Sequence, residues 1–248
     1  MRSFFKTSCL SAIVLLLSFT TAYSQNTVTL EQDNSPTVRF FLIPHHNPLF
    51  GLGYVNPQKS LIEIADGSQF RDDEFREVKA AESGETFKAR YNAFLDEMEV
   101  QAENKSGWIN KNQYANKIIF TDNNVAYKIL DADDRENKRA LGYYEVLLEN
   151  DYVSLYKRAP KKLAVGMEQL PYMTPAPKFI TEFQDVKAEY YVEFHKSGNV
   201  QKLSRTRRGV SKIFDDKKAI VKAYIKENGL KVTRDQDMIN IITFVNSL

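Results

Sequence analysis

Cysteine is nearly absent from this sequence: the only one is Cys9, at the start of an apolar stretch near the N-terminus. A lipoprotein anchor needs its cysteine after such a stretch, so we expect no lipid on the chain. A protein without further cysteine has neither a disulfide framework nor a thiol nucleophile. Core packing must hold the rest of the chain together.

Long hydrophobic runs are absent as well. The apolar stretch from Cys9 to Phe19 is shorter than the roughly 20 residues that a membrane-spanning helix needs. Arg2 and Lys6 precede it and the small-residue segment Ala22-Tyr23-Ser24 follows it, which is typical of a secretory signal peptide. We therefore predict a signal peptide over residues 1–24, cleaved after Ser24. The mature chain is then expected in the periplasm or outside the cell, without a transmembrane segment.

Charge of one sign is not in excess. Cleavage after Ser24 would remove two of the 34 lysines and arginines and none of the 32 acidic residues, which leaves a formal net charge of zero. Duplex-binding proteins carry excess positive charge because they neutralise phosphates. We therefore expect no nucleic-acid partner.

Residue types that hold metals and nucleotides are few. The three histidines are His45, His46 and His195, and adjacent residues in an extended segment point apart instead of converging on one ion. Gly51-Leu52-Gly53 begins like a dinucleotide-binding loop, but Asn56 stands where the third glycine belongs. We predict no cofactor and no metal.

The pattern of apolar, polar, proline and glycine residues divides the chain into four parts. After the signal peptide, residues 25–60 predict an N-terminal strand and a loop rich in proline and glycine. Residues 61–204 alternate between apolar and polar in short runs separated by turns, as in Phe87, Ala89 and Tyr91. The prolines of residues 159–178 predict a crossing loop between sheets. Residues 205–248 change to helical spacing.

Two C-terminal helices are predicted. Ile220, Val221, Tyr224 and Ile225 recur at helical spacing, with Asp215 as the cap and Gly229 as the left-handed stop. The segment Thr233 to Gln236 has the pattern of a capping box for a second helix, whose apolar stripe is Met238, Ile239, Ile242 and Val245. The fold class is therefore α+β, mainly β: an antiparallel meander in one curved or two packed sheets, capped by two helices.

A set of short motifs covers residues 67–248: Gly67-Ser68 with Phe75, Arg90-Tyr91-Asn92, Asp96-Glu97-Met98-Glu99, Gly142 to Leu147, and Asp216 to Leu230. Together they resemble a family of exported Bacteroidota proteins of unknown function. The resemblance implies a secreted or periplasmic chain and transfers no catalytic residue.

Glu97 and Glu99 are the strongest catalytic candidates. Two residues apart on a strand, they lie on one face about 7 Å apart, within the range of paired glycosidase carboxylates. Gln101 and Glu103 continue the same face, however, so the row is interpreted as solvated, and an exposed carboxylate lacks the burial that raises the pKa of a general acid. A carbohydrate-active enzyme is therefore the alternative hypothesis.

Thirteen tyrosines, with the pairs Tyr143-Tyr144 and Tyr190-Tyr191, exceed what one sheet face can bury, since neighbouring strand residues point to opposite sides. Some tyrosines must face solvent, where they can stack on sugars or proteins, or must meet a second layer. The primary hypothesis is a non-catalytic envelope or secreted protein that binds an envelope protein or glycan. Its candidate binding residues are Arg90, Tyr91, Asn92, Glu97, Glu99, Tyr143 and Tyr190.

A third hypothesis places a protein-binding surface on the C-terminal helices. The basic cluster of Lys202, Arg205, Arg207, Arg208 and Lys212 precedes and opens this region. Such clusters are usually solvated connectors, although an anionic partner such as a lipid head group is the alternative.

Overall fold

The computed structural model describes residues 64–102, 105–111, 117–132, 140–168 and 178–248, together with Ile62 and two short N-terminal strands. The predicted signal peptide, the histidine pair, the Gly51-Leu52-Gly53 turn and most of residues 25–60 lie outside the described residues.

The described chain is mainly β, with antiparallel sheets and C-terminal helices, so the predicted fold class is confirmed. The large sheet has twelve strands in the order β1-β2-β6-β5-β4-β3-β7-β8-β9-β10-β13-β14, and β11 pairs with β12 alone. The strands are β1 (Val28–Thr29), β2 (Phe41–Ile43), β3 (Arg76–Ala80), β4 (Thr86–Asn92), β5 (Glu97–Ala102), β6 (Lys105–Ile109), β7 (Ile118–Phe120), β8 (Ala126–Ala132), β9 (Ala140–Leu148), β10 (Val153–Arg158), β11 (Lys161–Glu168), β12 (Lys178–Asp185), β13 (Glu189–Phe194) and β14 (Asn199–Lys202).

The large sheet consists of two meanders joined side by side. Strands β3 to β6 form one and β7 to β10 the other, and they meet where β3 pairs with β7. Two of the turns between strands contain a residue of positive φ: Asn124 has φ 58° between β7 and β8, and Gly198 has φ 62° between β13 and β14. The sheet then curves so that β14 comes close to β8.

The crossing loop predicted for residues 159–178 is wrong over most of its described part, because β11 follows Pro160 directly. A proline before a strand removes no ladder hydrogen bond, so Pro160 does not prevent the next residues from forming a strand. The amide of Lys161 donates to the carbonyl of Ala93 at 2.9 Å, which fixes the base of the β11–β12 hairpin near the β4–β5 turn. Residues 169–177 lie outside the described residues.

Three buried apolar clusters form the core. The first lies on one side of β3 to β9 and includes Tyr91 and Tyr143, while the second lies between β9, β10, β13 and the helices and includes Tyr190. The third includes Tyr144 and Tyr191, on the other side of the sheet. The tyrosines of both pairs are therefore packed against other layers and do not face solvent, because both sides of the sheet are covered. This is the second of the two interpretations of the tyrosine pairs.

The C-terminal layer has three helices, not two: α1 (Arg207–Lys212), α2 (Lys218–Glu227) and α3 (Asp235–Ser247), with a 3₁₀ turn at Asp215–Lys217. The predicted stop at Gly229 is confirmed by its φ of 62° and by the Leu230 amide, which donates to the Ile225 carbonyl at 3.0 Å. In the described part of the chain, no helix is both long and apolar enough to cross a membrane.

Both predicted N-terminal caps are wrong. Asp215 belongs to the 3₁₀ turn, and Lys217 flanks α2 without a side-chain cap. The residue flanking α3 is Arg234, one position after the expected Thr233. The Asp237 carboxylate instead accepts a hydrogen bond from the Lys231 amide at 2.9 Å, so the first turn of α3 is braced to the preceding loop by another route.

Candidate binding site

A narrow cleft lies at the seam where the first core cluster meets the helix-backed half of the sheet. Tyr91 forms its aromatic wall together with Tyr127 and Tyr143, whose ring centroids lie 4.8 and 5.9 Å from that of Tyr91. We call this the seam cleft; its lining residues are Arg71, Tyr91, Tyr127, Tyr143, Glu145, Lys157, Arg158 and Ala159. It has room for about one water molecule, so no more than one small functional group of a ligand would enter it.

Strand register builds the floor of the seam cleft. Tyr127 on β8 stands opposite Glu145 on β9, Glu145 opposite Lys157 on β10, and Lys157 opposite Tyr190 on β13. Directly opposed residues of antiparallel strands point to the same side, so these four form one polar row between apolar neighbours. The row runs from the aromatic wall to the helices.

Asp96, in the turn between β4 and β5, organises the wall side. Its Oδ1 accepts hydrogen bonds from the Tyr91 hydroxyl at 2.7 Å and the Tyr143 amide at 3.2 Å. Its Oδ2 lies 3.3 Å from Arg158 Nη2 and 3.4 Å from Lys111 Nζ. Burial, and then the Asp96 charge, raise the pKa of Tyr91 well above its usual value. The hydroxyl therefore stays protonated and keeps donating to Asp96.

Gly142 on β9 leaves the space in which the Asp96 carboxylate reaches its partners. A Cβ on Gly142 would lie 3.0 Å from Asp96 Oδ2 and 3.1 Å from Cε2 of Tyr144. Both atoms belong to buried or half-buried groups held by neighbours, so they cannot move away freely. A side chain at position 142 would therefore require Asp96 or Tyr144 to shift by a few tenths of an ångström.

Asp235, the first residue of α3, closes the opposite end of the polar row. Its carboxylate accepts from Lys157 Nζ and from the Tyr190 hydroxyl, both at 2.6 Å. Burial alone would raise the pKa of Asp235, but these two donors lower it below its usual value. The charged carboxylate thus ties α3 to β10 and β13.

One donor at the seam cleft has no hydrogen-bond partner among the described residues: the fully buried Nε of Arg158. Tyr127 lines the same cleft. Burial opposes the charge of Arg158, yet Asp96 and the surrounding tyrosines raise its pKa, so the guanidinium is always charged. An unsatisfied buried donor is costly, by about 1–3 kcal/mol, so an acceptor group in the cleft would be stabilised.

The interpretation of Glu99 as part of a solvated row is wrong. Glu99 is only 3% exposed, and its Oε2 accepts from Arg90 Nε at 2.8 Å. The Arg90 guanidinium lies over the rings of Phe70 and Phe75, 3.7 and 4.3 Å from their centroids. The segment before β3 therefore covers this pair, which strand alternation within β5 does not reveal.

Glu97 lies 3.2 Å from Lys111 Nζ and is half-buried. Burial raises its pKa, although Lys111 opposes the shift. Asn92, fully buried, accepts from the amides of Phe94 and Leu95 at 3.1 and 2.9 Å and so shapes the β4–β5 turn. Neither Glu97 nor Glu99 lines the seam cleft.

The structure thus separates the predicted binding residues. Tyr91 and Tyr143 line the seam cleft, Tyr190 reaches its end through Asp235, and Glu97 is linked to the Asp96 hub through Lys111. Arg90 and Glu99 pair with each other, and Asn92 braces the turn.

Sequence reasoning missed most of the polar row and its surroundings. The available signal was that Glu145 and Lys157 each replace an apolar residue in otherwise apolar alternations, after Tyr143 on β9 and after Val153 and Leu155 on β10. A charged residue on a core face calls for a partner. The missed residues are Arg71, Asp96, Lys111, Tyr127, Glu145, Lys157, Arg158 and Asp235.

In the described ranges, no three histidine, cysteine, aspartate or glutamate side chains are grouped so that they could hold a metal ion. Ser154 Oγ lies 2.9 Å from His195 Nε2, but Ser154 is 1% exposed and also bonds the backbone of Asn150. That contact braces the β9–β10 turn.

Comparison of the chain with models of protein families, with curated proteins and with solved structures gave no match.

Proposed function

We propose that this is an exported, non-catalytic binding protein of the cell envelope or the extracellular space, and that the seam cleft holds one end group of its ligand. The observation that carries the proposal is the buried, unbonded Nε of Arg158 beside an aromatic wall that includes Tyr127. A carboxylate or hydroxyl of a glycan or of a protein terminus would accept from this donor, with the Tyr127 hydroxyl as its second contact.

The ligand is proposed to be acidic at the group that enters. Arg71, Lys157 and Arg158 bring three positive charges to the cleft, whereas Glu145 is its one acidic lining residue. Each of these cations already has a carboxylate partner, since Arg71 pairs with Asp185, Lys157 with Asp235 and Arg158 with Asp96. The donor left for a ligand is the unbonded Nε of Arg158. Arginine matches a carboxylate geometrically as well as by charge.

The binding test uses defined probes and a change of one hydroxyl. Calorimetry would compare an oligogalacturonate, a neutral N-acetylglucosamine trisaccharide and a short peptide with a free C-terminal carboxylate. Tyr127→Phe should weaken the preferred acidic probe about fivefold, the loss of one hydrogen bond, and should leave folding intact. Tyr156→Phe is the control, because Tyr156 donates to Glu193 at 2.6 Å outside the cleft. Equal affinity of Tyr127→Phe and wild type, or no binding of any probe, would contradict the proposal.

The enzyme hypothesis has its own test. A glycosidase acting through Glu97 and Glu99 would release new reducing ends from the same oligosaccharides, and Glu97→Gln would abolish this. We expect no release, because Lys111 and Arg90 hold both carboxylates in ion pairs. Hydrolysis lost in Glu97→Gln would replace the binding proposal with the enzyme.

Export is tested by the N-terminus of the protein recovered from the cell. We expect mass spectrometry of the envelope or medium fraction to find a chain that begins at Gln25. Uncleaved protein confined to the cytoplasm would contradict export without affecting the cleft experiment.

A further inference from the structure

The outer surface of α1 and α2 is strongly basic. Between Arg205 and Arg234 the sequence has ten lysines and arginines against three acidic residues. We call seven exposed members of this set the basic surface. They are Arg205, Arg207, Arg208, Lys212, Lys218, Lys222 and Lys226.

None of these seven side chains forms an ion pair with a described carboxylate. The described ion pairs of the sheet, by contrast, include those of Lys117, Lys128, Lys157 and Lys202. With residues 25–248 neutral overall, the basic surface concentrates positive charge on one layer of the molecule. Uncompensated lysines at i and i+4 on a helix repel each other, so the arrangement is mildly unfavourable without an anionic partner.

The spacing along α2 defines the shape of this surface. Lys218, Lys222 and Lys226 recur every four residues and form one flank of the helix. Ala219 and Ala223 occupy the middle of its exposed side, and Ile220, 52% exposed, lies on the far flank. Val221 and Ile225, on the opposite side, are fully buried.

An anionic lipid surface fits this arrangement better than a soluble polyanion. A lysine-flanked helix with small residues and one exposed isoleucine can lie along the head groups and insert its apolar side chain. A soluble polyanion would use the charges but not Ile220. The acidic residues nearby do not interrupt the lysine flank: Asp215 and Asp216 precede α2, and Glu227 lies on the side of Ile220, about two turns further along the helix.

We propose that the basic surface binds the face of a membrane that contains anionic lipids. This interaction is separate from the seam cleft and does not depend on the proposed function.

The experiment is flotation with vesicles of equal parts phosphatidylglycerol and phosphatidylcholine, and with vesicles of phosphatidylcholine alone. The wild type should bind only the anionic vesicles, and added salt should weaken binding. Reversing Lys218, Lys222 and Lys226 to glutamate should reduce the partition by about a hundredfold or more, since each lysine near an anionic surface contributes about fivefold. Ile220→Ser should weaken binding severalfold at the same salt concentration.

The matched control changes Lys79, Lys88 and Lys187 to glutamate. These lysines are also exposed and outside the described ion pairs. The control changes the net charge equally and should bind as the wild type does. Replacing the three α2 lysines by glutamine should give an intermediate partition if folding is intact. Equal binding by both reversed variants, or wild-type binding to soluble polyphosphate but not to anionic vesicles, would overturn the proposal.

Discussion

The Arg90–Glu99 pair shows how much a single buried charge requires of its surroundings. Glu99→Leu would leave the guanidinium without its carboxylate beneath Phe70 and Phe75. We expect it to lower the free energy of unfolding by about 3 kcal/mol, measured by urea denaturation. Replacing both residues, Arg90→Met with Glu99→Leu, should recover most of that loss, because no charge is left unpaired. A double variant no more stable than the single variant would contradict this explanation.

Gly142 is a second position at which one atom decides the local structure. Gly142→Ala should displace Asp96 or Tyr144 and lower the free energy of unfolding by about 1–3 kcal/mol, the usual cost of overpacking. Gly166→Ala on β11 is the control, since a Cβ there meets no atom closer than 4.0 Å. Urea denaturation of the two variants measures the difference. Equal stabilities would show that the Asp96 contacts tolerate a methyl group.

The first turn of α3 depends on pH through Asp235. The folded pKa of Asp235 is lowered, so the folded state binds fewer protons than the unfolded state and the stabilisation is present above about pH 4. It is lost as the pH falls through the folded pKa. Asp235→Asn should cost about 1 kcal/mol at pH 7, and the gap to the wild type should shrink near pH 3. A gap that is constant between pH 7 and pH 3 would contradict the assignment.

The sequence predicts elements well where a local signal marks them. Gly229 and the apolar stripe of α3 are such signals, and Met238, Ile242 and Val245 are fully buried. The helix starts were misplaced because side-chain caps were assumed, whereas α2 is preceded by a 3₁₀ turn and α3 begins one residue later. Strands β11 and β12 were missed because prolines nearby outweighed their own pattern.

The candidate site was less predictable than the fold for a physical reason. Tyr127, Glu145, Lys157 and Tyr190 lie far apart along the chain and meet only through the register of four strands. Register depends on turn lengths and bulges, and one shift already occurs between Leu155 and Tyr156. Tyr91 and Tyr143 are among the candidates that the sequence offers, because strand tyrosines can stack on a ligand, but the sequence does not identify their polar partners.

At the scale of the whole molecule, the sheet and the helices share one core. The second cluster joins Val153, Leu155 and Val192 of the strands to Val221, Ile225 and the stripe of α3. Deleting residues 205–248 would expose these side chains, so we expect the truncated chain to lose its tyrosine near-ultraviolet dichroism and its cooperative urea transition. A truncated chain that keeps both would show that the helices are a separate module.

The proposed role of the seam cleft depends on the unbonded Nε of Arg158. It is tested by the NMR signal of the Arg158 Nε–H group, observed while the acidic probe that binds best in calorimetry is added to the protein. We expect a saturable downfield shift of that signal, absent with the neutral trisaccharide and reduced in Tyr127→Phe at equal probe concentration. An Arg158 signal that stays unchanged while the probe binds elsewhere would rule out the proposed site.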